Sequence, residues 1–189
     1  MKKLIAVSLI VATTAFAGGY KKTADKVSQD LIKTLGGKLK KELQTKGAVA
    51  ALQYCNANAY ELTKQVSDKY PGITVKRISL KPRNPLNKPS SDEAVILKAM
   101  EDMQKVGVKP RKVVQKKDGK VYVYKPLVIE KKACLICHGD VAKNNPKLAK
   151  EIATLYPEDQ ATGYKMGDLR GAIVVEMPKK KKKKHHKKH

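Results

Sequence analysis

The residues with the greatest capacity for chemistry are few. Cys134, Cys137 and His138 form a Cys-x-x-Cys-His run inside KKACLICHGD, and Cys55 stands alone in ALQYCNANA. Such a run can be a redox dithiol, part of a zinc site, or the attachment point of a c-type haem. A thioredoxin-type dithiol accompanies a βαβ pattern, whereas this run comes late in the chain, behind two strand-like segments. Tetrahedral zinc needs four Cys or His ligands. Outside the C-terminal tail only Cys55, Cys134, Cys137 and His138 are on offer, and two of those are adjacent. Haem c asks for two thiols that span the vinyl groups and a neighbouring His that reaches iron, and the run supplies them in that order. Cys134 and Cys137 are therefore read as thioether cysteines and His138 as an axial ligand.

The opposite axial position stays open at this level. The other histidines (His185, His186 and His189) lie in the tail, which disfavours a second His. Met100, Met103, Met166 and Met177 are candidates, and so is Cys55. A lone cysteine is most often a small buried hydrophobe.

The ends of the chain define the setting. MKKLIAVSLIVATTAFAGGY has a basic start, an apolar stretch from Leu4 to Phe16, and an Ala-Phe-Ala site. That pattern reads as a secretory signal over residues 1–17, with the mature chain starting near Gly18 in the periplasm. Three cysteines in an exported chain leave one unpaired in any disulfide scheme, and attachment of haem to two of them resolves the arithmetic. The last residues, 179–189, are a Lys/His block expected to be disordered. Subtracting its eight lysines and the two of the leader from the net charge of +24 leaves +14, so the body itself is basic. A basic body favours acidic redox partners, and the tail could touch anionic lipid. Nucleic acid is not expected for an exported chain without a recognition motif. The chain has one Phe, in the leader, and no Trp, so large rings are scarce for a core of this size.

The elements that must position these residues follow from periodicity. Ala24, Val27, Leu31, Leu35 and Leu39 predict an amphipathic helical segment within 18–46, interrupted at Gly36-Gly37 and ended by Gly47. In the next helix Leu52, Cys55, Ala59, Leu62 and Val66 form an apolar stripe, which turns Cys55 inward. ITVKRIS alternates as a strand, and KPRNPLNKPSSDE is a loop. Ser90 and Glu93 make a capping box for a helix reaching about Gln104. Two strands meet at Asp118-Gly119, a helix spans Pro146 to Leu155, and AIVVEM closes the chain as a strand. The order predicts one α+β domain over 18–178, an antiparallel sheet covered by helices.

Several segments together resemble a known family: ALQYCNANA, VKRISLKPRNPLNKPSSDE, VYVYKPLVI, CLICHGD and YPEDQATGYKMGDLRGAIVV. They resemble the Tll0287-like (DUF3365) haem c family from about Ala51 to Val175. The resemblance implies a PAS-like fold with about five antiparallel strands, flanking helices and long N-terminal helices. It also implies one covalent haem c whose iron is held by His138 and, on the far face, by Cys55. Arg77, Arg83 and Asn84 are candidate contacts for haem propionates, since Arg forks suit carboxylates. Tyr156, Tyr164 and Arg170 are candidates for the haem edge.

The function expected is that of a monohaem cytochrome, an electron carrier or a redox or gas sensor. A vacated Cys55 position would admit CO or NO. The alternative is a haem enzyme (a peroxidase, or one that reduces NO or nitrite) with a displaceable distal ligand. No histidine outside the tail remains to serve such an enzyme as acid or base. A haem-free module held by a disulfide is a third class.

Overall fold

The computed structural model describes residues 14–179. The first thirteen residues of the expected leader, and residues 180–189 of the expected tail, lie outside the described residues. Helix α1 (Thr14–Asp68) leads, followed by strand β1 (Thr74–Ile78) and helix α2 (Ser91–Lys105). Strands β2 (Val113–Lys117) and β3 (Lys120–Val128) form a hairpin. Three short helices come next, α3 (Leu135–His138), α4 (Val141–Asn144) and α5 (Pro146–Leu155), and strand β4 (Leu169–Pro178) ends the domain.

Helix α1 is two arms rather than one rod. Its backbone leaves helical values at Gly47, with φ 83° and ψ −179°. Just past the far end, Tyr70 donates its hydroxyl to Asp30, and Lys26 lies 5.7 Å from the Tyr70 ring centre. A straight helix would hold residues 30 and 68 about 57 Å apart, at about 1.5 Å per residue. The chain must therefore double back at Gly47. The Gly36-Gly37 pair, by contrast, stays helical and does not interrupt the first arm. Packing of Leu35 into the main core beside Leu31 outweighs two glycines, each worth only about 1 kcal/mol in a helix. Gly47 occupies a region that side chains rarely enter. Gly47→Ala should cost about 1–3 kcal/mol in urea unfolding, whereas Gly36→Ala should stabilise by a few tenths to about 1 kcal/mol.

The sheet has strand order β1-β4-β3-β2, and every pairing is antiparallel. It holds four strands among the described residues, against the five implied by the family resemblance. Alternation sorts its side chains to two covered faces. Val75, Val121, Val123, Ile173, Val175 and Met177 meet Tyr20, Ala24, Val27, Leu31 and Val66 of α1. Ile78, Tyr124, Ala172 and Val174 meet Leu97 and Met100 of α2. Strand β4 is buried on both faces, which explains its unbroken apolar run AIVV. The capping box is present: Ser90 Oγ accepts from the Glu93 N–H and Glu93 from the Ser90 N–H. The hairpin turns at Asp118-Gly119, where both φ angles are positive. Among the described residues, no helix is long and apolar enough to cross a membrane.

Candidate functional site

His138 ends the single turn α3, which follows a 3₁₀ turn over Lys132–Cys134. The i, i+3 spacing puts Cys134 and Cys137 on one side of that turn, and both are free, half-buried thiols. So short a helix has little stability of its own. Neighbouring backbone secures it: the Tyr164 N–H donates to the His138 carbonyl (2.8 Å) and the Gly163 N–H to the Gly139 carbonyl (2.9 Å).

The imidazole is oriented as well as placed. His138 Nδ1 donates to the Ala161 carbonyl at 2.8 Å, and the ring stands edge-on to Tyr164 with centroids 6.2 Å apart. A carbonyl can only accept, so Nδ1 carries the proton and Nε2 is left with its lone pair. Burial, then the charges of Arg170 and Arg83, push the His138 pKa down to about 3. The ring is neutral at physiological pH, the form in which an imidazole binds a metal.

Arg83 holds this arrangement from behind. Its Nε and Nη2 donate to the two oxygens of Asp159 (3.0 and 3.1 Å). Nη2 also donates to the carbonyls of Cys137 (2.7 Å) and Ala161 (3.3 Å). Asp159 in turn accepts the Ala161 N–H at 3.0 Å. One buried ion pair thus fixes both the cysteine motif and the carbonyl that orients His138. Neither Asp159 nor the Ala161 carbonyl is legible as a site group in the sequence. A backbone acceptor has no sequence signature, and Asp159, 76 residues from Arg83, has no spacing that would pair them.

Cys55 lies on the second arm of α1, one turn beyond buried Leu52, and is half-buried. Burial pushes its thiol pKa up, while the charges of Arg77 and Arg83 pull it the other way. Arg77 and Arg83 also act on His138, and Cys137 and Tyr156 lie within electrostatic reach of Cys55. Thiol and imidazole, distant in sequence, therefore share one arginine cluster. Among the described residues no three His, Cys, Asp or Glu side chains converge on a metal position. Met100 and Met177 are buried in the two sheet cores, and Met166 is 47% exposed.

Two further arginines reach the cluster by different routes. Arg77 shares its face of β1 with Val75, toward α1, and its Nε is buried without a hydrogen-bond partner. Arg170 is the unpaired residue of a bulge, since Leu127 pairs with Gly171 and Val128 with Leu169. Bulges re-aim side chains, and a Cβ on Gly171 would stand 2.1 Å from the Ile78 carbonyl oxygen. Arg170 Nη1 donates to Ser79 Oγ (2.6 Å) and to the Lys81 carbonyl (3.1 Å), while its Nε is buried and unpartnered. Its guanidinium lies 5.4 Å from the centre of the Tyr164 ring.

A model of the Tll0287-like family matches residues 8–178. The chain belongs to the Tll0287-like family. The crystal structure of the cyanobacterial haem protein Tll0287 superimposes with a TM-score of 0.58 at 22% identity, covering 90% of this chain and 99% of that one. At this identity the likeness speaks for the shared fold. No curated protein matches the chain.

Against the family's implied site, the structure brings Cys55, Arg77, Arg83, Cys137, His138, Tyr156, Tyr164 and Arg170 into one neighbourhood. Tyr156 is buried against Leu52 and hydrogen-bonds Asn56, a partner the sequence did not mark. Asn84 has a local task, its side-chain Oδ1 accepting the Leu86 N–H (2.9 Å) as cap of the 3₁₀ turn Pro85–Asn87. A cleft of about 350 Å³ beside the motif is lined by Gly139, Ala149, Ile152, Tyr156 and Gly163, but by neither Cys55 nor His138.

Proposed function

We propose that this chain is an exported monohaem c-type cytochrome that exchanges single electrons, as a carrier or as a redox sensor for a separate partner. The observation that carries the reading is His138, held as a neutral Nδ1–H tautomer beside two free cysteines at attachment spacing. Cys134 and Cys137 would hold the haem through thioether bonds, and His138 Nε2 and Cys55 would bind its iron. The unpartnered buried Nε atoms of Arg77 and Arg170 fit a group that brings carboxylates, because such donors are costly to leave unmatched. Bound haem c supplies a one-electron Fe(III)/Fe(II) couple. A Cys55 thiolate binding that iron would donate charge to it and lower the potential relative to His/Met ligation. A basic body suits an acidic partner through electrostatic steering. The signal-like leader supports a periplasmic location, which requires the purified protein to begin near Gly18.

Expression in a host that matures haem c tests this directly. The protein should keep its haem through denaturation, and changing Cys134 and Cys137 to serine should abolish that retention. A colourless wild-type protein would overturn the reading. Arg77→Leu should lower the midpoint potential by on the order of 50 mV, because removal of a nearby positive charge disfavours the reduced state. Redox titration reads it.

A further inference from the structure

We propose that the outer face of the first α1 arm is a docking surface for an anionic lipid bilayer. Lys22, Lys26, Gln29, Lys33, Lys40 and Gln44 are all exposed and recur at helical spacing, with Gly36-Gly37 between them. They form one stripe about 33 Å long, at about 1.5 Å per residue. The acids of this arm are engaged elsewhere. Asp25 pairs with Lys112 (2.5 Å) and Lys125 (3.6 Å), Asp30 accepts from Tyr70, and Glu42 pairs with Lys46 (3.0 Å). On the stripe Lys22, Lys33 and Lys40 present positive charge outward, while Lys26 leans over the Tyr70 ring (5.7 Å) beside Asp30, the one carboxylate bordering it. The exposed face of the second arm differs, since it mixes Lys64 with Glu61 and Asp68.

The chemistry of the stripe favours a lipid plane over an acidic protein. Its cations are all lysines, hydrated point charges that need no fixed fork geometry. Protein interfaces enrich aromatic and Arg anchors and are depleted in Lys, and the stripe has neither anchor. Its middle is glycine, which leaves no side chain to hold the helix off a flat surface. Ile32, at its edge, is 45% exposed and can enter the headgroup layer. Each lysine near such a surface is worth about fivefold in affinity, and the attraction fades within a Debye length. The surface does not depend on what the cysteine–histidine site binds.

The test is cosedimentation of the full-length exported protein with phosphatidylcholine vesicles, with and without about 30% phosphatidylglycerol as the anionic lipid. Four proteins are compared: wild type, a stripe variant (Lys22, Lys26, Lys33 and Lys40 to Gln), a control variant with the same charge change (Lys98, Lys109, Lys143 and Lys147 to Gln), and one with its eight tail lysines changed to Gln. Circular dichroism checks that all four are folded. Wild type should bind only the anionic vesicles and be released by salt. The stripe variant should lose at least about 100-fold in partitioning, while the control variant loses less than about tenfold. The tail variant should still bind. Equal losses in stripe and control variants would reduce the effect to net charge and overturn the proposal. Binding that vanishes with the tail alone would also overturn it, as would binding to soluble polyglutamate but not to vesicles.

Discussion

Cys55→Ala should leave the haem covalently attached yet remove the thiolate signature from the ferric EPR spectrum. The midpoint potential should rise by on the order of 100–200 mV, a fraction of the ~0.8 V that axial ligands span. Attachment rests on Cys134 and Cys137, so the variant separates ligation from retention. The fold should survive, because Cys55 is a half-buried side chain in the middle of a helical arm, and alanine is the best helix former. Two of the methionines are poorly placed to substitute. Met100 and Met177 are buried in opposite sheet cores, and moving either would open a cavity there. An unchanged ferric spectrum would transfer the ligand role away from Cys55 and leave the rest of the site standing.

Arg83→Leu should produce the largest loss of stability, about 3–5 kcal/mol in urea unfolding, because the Asp159 carboxylate would be left buried without its cation. Arg83 is 8% exposed, so water offers little relief. The same change frees the Cys137 and Ala161 carbonyls. His138 would then lose the fixed partner of its Nδ1–H, and a second conformer or tautomer should appear in imidazole NMR. Arg83→Lys should recover only part of the stability, since an ammonium cannot reproduce the fork on Asp159. Equal stability of wild type and Arg83→Leu would remove the clamp from the account.

Much of this was legible in local sequence. The capping box at Ser90 and Glu93, the turn at Asp118-Gly119 and the helix from Pro146 all depend on near neighbours, and all are present. The inward stripe of the Cys55 helix was readable from its spacing. The direction of the chain after Gly47 was not: a glycine marks a break, but the reversal depends on contacts such as Tyr70 with Asp30, forty residues apart. Gly36-Gly37 misled for the same reason, since packing along the first arm outweighs propensity. The arginines divided by tertiary context alone. Arg77 and Arg83 are alike in sequence, yet Arg83 is tied to the Asp159 carboxylate and the carbonyls of Cys137 and Ala161, while Arg77 keeps a buried Nε without a partner. Arg170 depends on a bulge that no local pattern announces.

Glu93 does more than begin a helix. One of its oxygens caps α2 at Ser90, and the other pairs with Lys76 at 2.8 Å, the residue just before Arg77 on β1. Strand side chains alternate, so Lys76 on the α2 side dictates Arg77 on the α1 side. Were β1 to shift by one position, a lysine would point into the arginine cluster and Arg77 would face α2. Glu93 thus acts as an indexing pin: a carboxylate on the opposite side of the sheet selects which cation faces Cys55.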